Sequence, residues 1–344
     1  MQQNIVGKSS YRSLLYVASS VVLTLYLCLP CNAQSTQGET ENFVMEHVED
    51  AYHWHFATVA GRDIVWPLPI ILCSKDRGIE CFSSAHLYNS KQQPTTYRGY
   101  TLLHKKIHCV DPGRRVVDLS LTKNIAAMLL SVLLLVSGLL LAARKYQQQP
   151  LTAPKGYYAF IDIIICFIKH EIAIPNIGKK HYERFLPYLL TIFSFIWLNN
   201  LLGLLPAGAN VTGNISVTLV LAAFTTIITV LNGNKQYWSH ILKPKGVPKW
   251  LLPIMVPVEI LGILTKFFSL MLRLFANITA GHIILLSIIG LVFSIKSVYI
   301  GFAVSVPFGT FMFLLKLLVA FLQAYVFTLL SAIYFGQAVE EGHP

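Results

Sequence analysis

The chain of 344 residues is too apolar to be an ordinary soluble protein. It is 54% hydrophobic and only 12% charged, whereas soluble domains carry about 25% charged residues. Its 27 Lys and Arg against 16 Asp and Glu give a net charge of +11. The excess lies in short connectors between hydrophobic segments, which is typical of cytoplasmic loops and excludes a nucleic-acid patch. The composition predicts a multi-span protein of the lipid bilayer.

The first 33 residues have the pattern of a secretory signal peptide. Lys8 and Arg12 precede an apolar run at 13–29, and small residues at 31–33 form a cleavage site. The alternative is a first membrane helix. We favour cleavage because the apolar run is short and no cluster of stop-transfer charges follows it. Cleavage would place the next segment outside the cytoplasm.

Residues 34–122 are predicted to form an exported N-terminal domain of mixed structure. Nine basic and ten acidic residues make this segment nearly neutral, and apolar runs at 64–66 and 70–72 favour strands. In an oxidising compartment Cys73 and Cys81 are the candidate disulfide, because they close the shortest loop. Cys109 would then remain a free thiol.

A cluster of histidines and acidic residues lies near the start of this domain. His47, His53 and His55 are candidate ligands of a transition metal. However, His47 and His55 do not share one helical face. We therefore favour a solvated amphipathic helix over a metal site here, and we expect no cofactor elsewhere in the chain.

Residues 123–344 are predicted to be an all-α polytopic membrane domain with five membrane helices and one surface helix. A Pro-Ala-Gly sequence at 206–208 splits the uncharged run 185–234 into a hairpin, and Lys-flanked residues 157–168 favour a helix on the cytoplasmic surface. The five spans lie at about 124–143, 185–205, 213–232, 251–293 and 302–335.

The basic loops predict the orientation. Residues 144–184 carry seven Lys or Arg, and residues 233–250 carry four Lys and no acid. Short basic loops stay in the cytoplasm, so the first span runs inward and the C-terminus is cytoplasmic. Over forty residues from Leu251 would make a helix of roughly 60 Å. Such a helix must tilt strongly to fit in a bilayer, and the last span is likewise too long to cross upright.

Ionisable residues within these two long helices form stripes. Glu259, Lys266 and Arg273 recur every seven residues, which brings them onto one face, and Asn277 lies about 40° away. His282 lies near the opposite side. Lys316, Gln323 and Tyr334 share a stripe on the last helix.

Intramembrane ionisable residues are costly and indicate function. Snorkelling to the headgroups would account for Lys266 and Lys316, and hydrogen bonding between helices would account for Asn277 and Gln323. Neither accounts for Arg273, because apolar residues flank it for more than a turn on both sides.

At these residues the chain resembles subunit a of F-type ATP synthases. Leu272–His282 (LRLFANITAGH) resembles that family's signature helix, and Leu322–Phe327 (LQAYVF) resembles its final-helix motif. Asn200–Pro206 (NLLGLLP) with Asn214–Leu219 (NISVTL) is similar to its helical hairpin. The resemblance covers about residues 120–340 and does not extend to the N-terminal domain.

The resemblance implies a non-catalytic stator subunit that provides two offset proton half-channels beside a rotating ring of c subunits. Arg273 matches the family's essential arginine, which faces the carboxylate of each ring subunit and couples proton flow to rotation and ATP synthesis. Asn277 and Gln323 match positions that flank it. The implied partners are the c-ring, the b-subunit peripheral stalk and the catalytic head, in a bacterial inner membrane. Whether protons or sodium ions pass depends mainly on the ring.

The remaining candidates follow from the same resemblance. His282 matches an ionisable position of the inlet, and imidazole titrates near neutral pH. Glu259 and Lys266 lie toward the cytoplasmic end, where the exit would open, while Asn200 and Tyr334 are further polar candidates along the path. Lys316 departs from the family, which usually has a histidine or a carboxylate there, so the inlet chemistry stays open.

Two other classes of protein are alternatives. An independent secondary transporter would use Arg273 to bind an anionic solute, but such transporters often contain internal repeats and none is visible. An exported binding or sensor domain on a membrane anchor would explain the histidine cluster. It would assign no function to the ionisable residues of the two long helices.

Overall fold

The computed structural model describes residues 50–59, 62–74, 78–88, 95–103, 106–109, 116–148, 156–205, 208, 211–242, 251–294 and 298–340. The predicted signal peptide and His47 lie outside these residues. The architecture has two parts, an N-terminal domain of short strands and a larger assembly of helices.

The described part of the N-terminal domain contains three small antiparallel sheets. A buried apolar cluster that includes Ile70, Leu72, Phe82 and Tyr100 forms its core. The strands pair as β1 with β2, as β4-β3-β7, and as β5 with β6. Their bounds are β1 His53–Val59, β2 Arg62–Pro67, β3 Pro69–Ser74, β4 Gly78–Ser83, β5 Tyr100–Leu103, β6 Lys106–Cys109 and β7 Val116–Asp118.

Two sequence predictions for this domain are wrong. His53 and His55 lie in strand β1 and not in an amphipathic helix. His53 instead shares a hydrogen bond with the hydroxyl of Tyr88, its Nδ1 lying 3.2 Å from that oxygen. The described residues contain no group of three His, Cys, Asp or Glu side chains that could hold a metal ion.

The second wrong prediction is the disulfide, because Cys73 and Cys81 are both free thiols. In the register of β3 with β4, Cys73 lies opposite Ile79 and Cys81 lies opposite Ile71. The two cysteines are therefore diagonal neighbours. Diagonal pairs are about 7–8 Å apart, which is beyond the reach of a disulfide.

The helices of the membrane domain agree closely with the predicted spans. Four of them are long and apolar enough to cross a membrane among the residues described, and a fifth span results if α5 and α6, bent by 101°, are taken together. Their bounds are α1 Lys123–Gln148, α2 Tyr157–Phe167, α3 Ile174–Ile177, α4 Tyr182–Gly203, α5 Ile215–Leu231, α6 Lys235–Leu242, α7 Leu252–Ser294 and α8 Val298–Val339. The predicted polytopic, all-helical membrane fold is confirmed.

Helices α7 and α8 form a long antiparallel hairpin. They contain 43 and 42 residues, so each is about 63 Å long. Lys266 contacts Gln337, and further along α7, Asn277 contacts Gln323. The register of these contacts places the polar stripes of both helices against each other.

The predicted surface helix is longer than expected. A π-helical turn at Ile168–Ala173 joins α2 to α3, so the helical segment runs from 157 to 177. Its apolar face is buried against α4 and α8, where the ring of Phe167 lies 6.3 Å from that of Phe193 and 5.8 Å from that of Tyr325. The segment thus helps to support the helix that carries Gln323.

Candidate functional site

Arg273 lies on the outer face of α7. Its neighbours Leu270, Met271 and Leu274 are buried in the core of the bundle, whereas Arg273 and Asn277 are exposed. Among the residues that the structure describes, Arg273 makes no hydrogen bond or ion pair. A guanidinium keeps its charge and offers five donors in a planar fork. The bundle therefore presents a permanent, unpaired cation on its surface, open to a partner.

An amide pair links this face to the interior of the hairpin. Asn277 donates from Nδ2 to Oε1 of Gln323 at 3.0 Å. Gln323 is only 4% exposed, and its buried Nε2 has no hydrogen-bond partner within the described chain. Since buried polar groups are normally satisfied, this spare donor marks a place suited to water or to another polar group.

Lys316 is the polar group on the N-terminal side of Gln323. It is 8% exposed, and its Cε lies 3.5 Å from the place a Cβ on Gly281 would occupy. Lys316 therefore packs against α7 beside the position of His282, whose side chain lies outside the described set. A Cβ at Gly281 would make only an ordinary van der Waals contact with the lysine stem.

A second polar group lies on the other side of Arg273 along the hairpin. Lys266 donates to Oε1 of Gln337 at 2.8 Å, and its ammonium lies 5.2 Å from the centre of the Tyr334 ring. Glu259 is close enough to Lys266 for an electrostatic interaction.

A small cavity adjoins this second group. Its volume of about 20 Å³ is room for about one water molecule. Its lining includes Thr226, Thr229, Tyr237, Lys266, Tyr334 and Gln337.

Asn200 occupies a structural position. Its Nδ2 donates to the carbonyl of Ala320 at 3.2 Å, and its Oδ1 accepts from the hydroxyl of Thr212 at 2.8 Å. Both ends of the amide are used, so Asn200 ties three segments together.

The structure thus brings most of the predicted site residues together on one hairpin. Lys316 and the backbone of His282 lie on one side of Arg273, and Glu259, Lys266 and Tyr334 lie on the other. Sequence reasoning missed Thr226, Thr229, Tyr237 and Gln337. A signal for one of them, Thr229, was present, because buried threonines recur along α5 at positions 218, 225 and 229.

Comparison with known proteins agrees with this architecture. The family model described as ATP synthase A chain matches residues 125–336. A domain of unknown function matches residues 43–127, which covers the described strands and the start of α1.

Similar relatives include two proteins named ATP synthase subunit a 2 and one named ATP synthase subunit a. The relative from Chlorobaculum tepidum is 48% identical over 227 residues, which is 64% of this chain and 64% of the relative. That from Prosthecochloris aestuarii is 46% identical over 66% of this chain and 71% of its own length. The protein from Myxococcus xanthus is 44% identical over 66% of this chain and 75% of its own length.

The alignments thus span slightly under two thirds of the first relatives, 64% and 66% of their lengths. The matched region includes every described helix that carries the polar stripes. Because the family model covers more than half of the chain, this multi-pass membrane protein belongs to the ATP synthase A chain family.

Proposed function

We propose that the chain is the stator subunit a of the membrane sector of a rotary ATP synthase. Family membership supports this role, and the unpaired guanidinium of Arg273 on the outer face of α7 is the observation that carries it. The subunit has no catalytic site of its own in this proposal. ATP chemistry belongs to a partner head, and the partner at Arg273 is a ring of c subunits that each carry a carboxylate.

Arg273 acts as a fixed charge past which the ring carboxylates move. A carboxylate beside the guanidinium is held ionised by the opposite charge and by paired hydrogen bonds. It therefore reaches Arg273 after releasing its proton to one side and is reprotonated from the other side. The same charge stops protons from passing straight through without rotation.

The two polar groups of the hairpin are the two half-channels. Lys316, His282, Asn277 and Gln323 line the inlet from the exported side, and Glu259, Lys266 and Tyr334 line the outlet toward the cytoplasm. Along α7, Lys266 and Gly281 lie on opposite sides of Arg273, each about 10–12 Å away. A proton crossing 100 mV releases about 2.3 kcal/mol, and the offset between the paths converts this energy into rotation.

In the proposed orientation, which the basic loops support, the N-terminal domain lies outside the bacterial inner membrane and the C-terminus lies in the cytoplasm. The helical segment 157–177 lies toward the cytoplasmic surface, where the b subunits of the peripheral stalk hold the stator. Protons are the transported ion in this proposal, and the ring determines whether sodium can replace them.

Replacement of Arg273 tests the proposal. Arg273→Ala should abolish ATP-driven acidification of inverted vesicles while the complex still assembles, because the ring carboxylates would lose the fixed charge that holds them ionised. Arg144→Ala, at an exposed position near the end of α1, is the matched control and should pump normally. Normal pumping by Arg273→Ala would remove the proposal.

Co-purification separates this function from that of an independent transporter. A stator subunit should purify with a ring of small hairpin proteins and a nucleotide-hydrolysing head. A chain that purifies alone and takes up an anionic solute in an Arg273-dependent way would be a secondary transporter instead.

A further inference from the structure

We propose that the N-terminal domain positions the outward half of the proton path. The inference rests on the proposed function and assigns a role to the matched domain of unknown function. A continuous line of buried and half-buried contacts runs from strand β1 of this domain to the segment of α8 between Lys316 and Gln323.

The domain is attached to the first turn of α1. The first backbone N–H groups of a helix have no partner within the helix. Here Asp50 accepts from the N–H of Asn124 at 3.1 Å, and the carbonyl of Ala51 accepts from the N–H of Lys123 at 2.9 Å. The N-terminal domain thus caps α1 and cannot turn freely about the connection at 119–122.

Trp54 packs on a small cluster that joins α1 to the connector of the helical hairpin. From strand β1 it packs on a small buried cluster of Ala127 on α1 and Val211 in the 3₁₀ turn Val211–Gly213. Val211 is only 2% exposed. Large aromatic side chains stabilise such contacts through the area they bury, so Trp54 supports the cluster that contains Val211 of this turn.

Two consecutive hydrogen bonds link the 3₁₀ turn to α8. Thr212 donates its hydroxyl proton to Asn200 at 2.8 Å, and Asn200 donates to the carbonyl of Ala320 at 3.2 Å. Thr212 is 1% exposed and Asn200 is 4% exposed, so these bonds cannot be replaced by bulk water without opening the bundle.

Ala320 lies four residues after Lys316 and three before Gln323. The 3₁₀ turn also contacts α7 directly, so it is linked to both helices of the hairpin, to α8 through Asn200. A shift of the turn therefore changes the spacing of the inlet groups on α8 relative to Asn277 on α7. The cytoplasmic group around Lys266 has no such connection to the domain among the described residues, so the effect should be confined to the inlet.

Matched substitutions test each link in the intact complex. Thr212→Val removes the hydroxyl and keeps the shape, whereas Thr212→Ser keeps the donor. Trp54→Ala removes the contact with the cluster of Ala127 and Val211, whereas Trp66→Ala removes a tryptophan that lies opposite Trp54 across the β1–β2 hairpin and is 67% exposed. Trp54→Phe should restore most of the lost contact.

The measurement is passive proton flow through inverted vesicles after removal of the catalytic head. The pH of the lumen, which corresponds to the exported side, and the pH of the bath are varied separately. Thr212→Val and Trp54→Ala should need a lumen more acidic by about one pH unit for half-maximal flow. This is a tenfold change in proton concentration, less than the ~100-fold cost that a misplacement of 1 Å can have. Their dependence on bath pH should not change.

Two results would overturn the inference. One is that Thr212→Val and Thr212→Ser have the same lumenal pH profile. The other is that flow falls only in proportion to the amount of assembled complex, with both profiles unchanged, which would make the domain merely structural. Arg273→Ala is assayed for ATP-driven acidification in vesicles that keep the catalytic head, because normal pumping by that variant would contradict the proposed function and not this inference.

Discussion

Gly336 allows α8 to cross α3 in direct backbone contact, and an alanine there should disrupt the crossing. A Cβ at this position would lie 1.9 Å from the carbonyl oxygen of Asn176 and 3.1 Å from its carbon. Ordinary contacts begin near 3.4 Å, so the two backbones would have to separate by about 1.5 Å. No rotamer can relieve a clash between a Cβ and a main-chain atom.

Two terms of opposite sign determine the stability of Gly336→Ala. Alanine in a helix interior gains about 0.8–1 kcal/mol over glycine. Overpacking of a rigid contact costs about 1–3 kcal/mol and sometimes more. Because the clash is with a main-chain atom, we expect the overpacking cost to exceed the gain in helix propensity. The complex should lose about 1–2 kcal/mol of stability.

The control for this substitution lies on the same helix. Nothing lies within 4 Å of the Cβ position of Gly309, so Gly309→Ala should keep or slightly raise the stability. The assay is the thermal unfolding of the purified complex, with the yield of assembled complex measured in parallel. Equal stability of Gly336→Ala and Gly309→Ala would refute the reasoning, because the close crossing would then be absent.

Two further predictions concern single side chains. Burial and the hydrogen bond to Asp118 raise the pKa of Tyr52 well above its ordinary value of 10.0, so the native state keeps a proton that the unfolded chain loses. The contribution of Tyr52 to the stability of the N-terminal domain should thus be constant below about pH 10 and be lost as the pH rises further. Resistance of the N-terminal domain to protease measures this stability. Tyr52→Phe should reduce its fall at high pH, and a pH profile identical to that of the unchanged chain would count against the prediction. Lys266→Met should lower ATP-driven pumping several-fold without abolishing it, since the lost bond to Gln337 contributes about 1 kcal/mol. Complete loss of pumping would instead make Lys266 as essential as Arg273.

The helical part of the fold was predictable because its signals are long and repetitive. Periodicity predicted that Lys316, Gln323 and Tyr334 share one face, and in the structure all three face α7. The seven-residue spacing likewise predicted Lys266 on the face of Arg273. The uncharged run 185–234 and its Pro-Ala-Gly sequence predicted the hairpin of α4 and α5.

The errors lie where tertiary contacts decide the structure. The segment at His53 and His55 is polar enough for a solvated helix, but pairing with β2 makes it a strand. Cys73 and Cys81 are close along the chain, yet the register of β3 with β4 sets them diagonally. Register depends on the partner strand, which the local sequence does not specify.

Two features of the site had no local signal. The crossing at Gly336 depends on where the backbone of Asn176 lies. The cavity beside Lys266 depends on Tyr237 and Gln337, which come from different helices and meet only after packing. By contrast, Arg273 was predictable as a functional residue, because a charged side chain within an apolar membrane helix is costly and indicates function.

The central claim is that the outer face of α7 around Arg273 touches a moving acidic rotor. Ala276 lies one turn from Arg273 on this exposed face, whereas Ala324 on α8 is fully buried. The direct measurement is disulfide formation between Ala276→Cys and a ring subunit that carries a cysteine one turn from its carboxylate. The account predicts rapid cross-linking that stops rotation, and none for Ala324→Cys. Absence of any cross-link at Ala276→Cys in the assembled, active complex would contradict it.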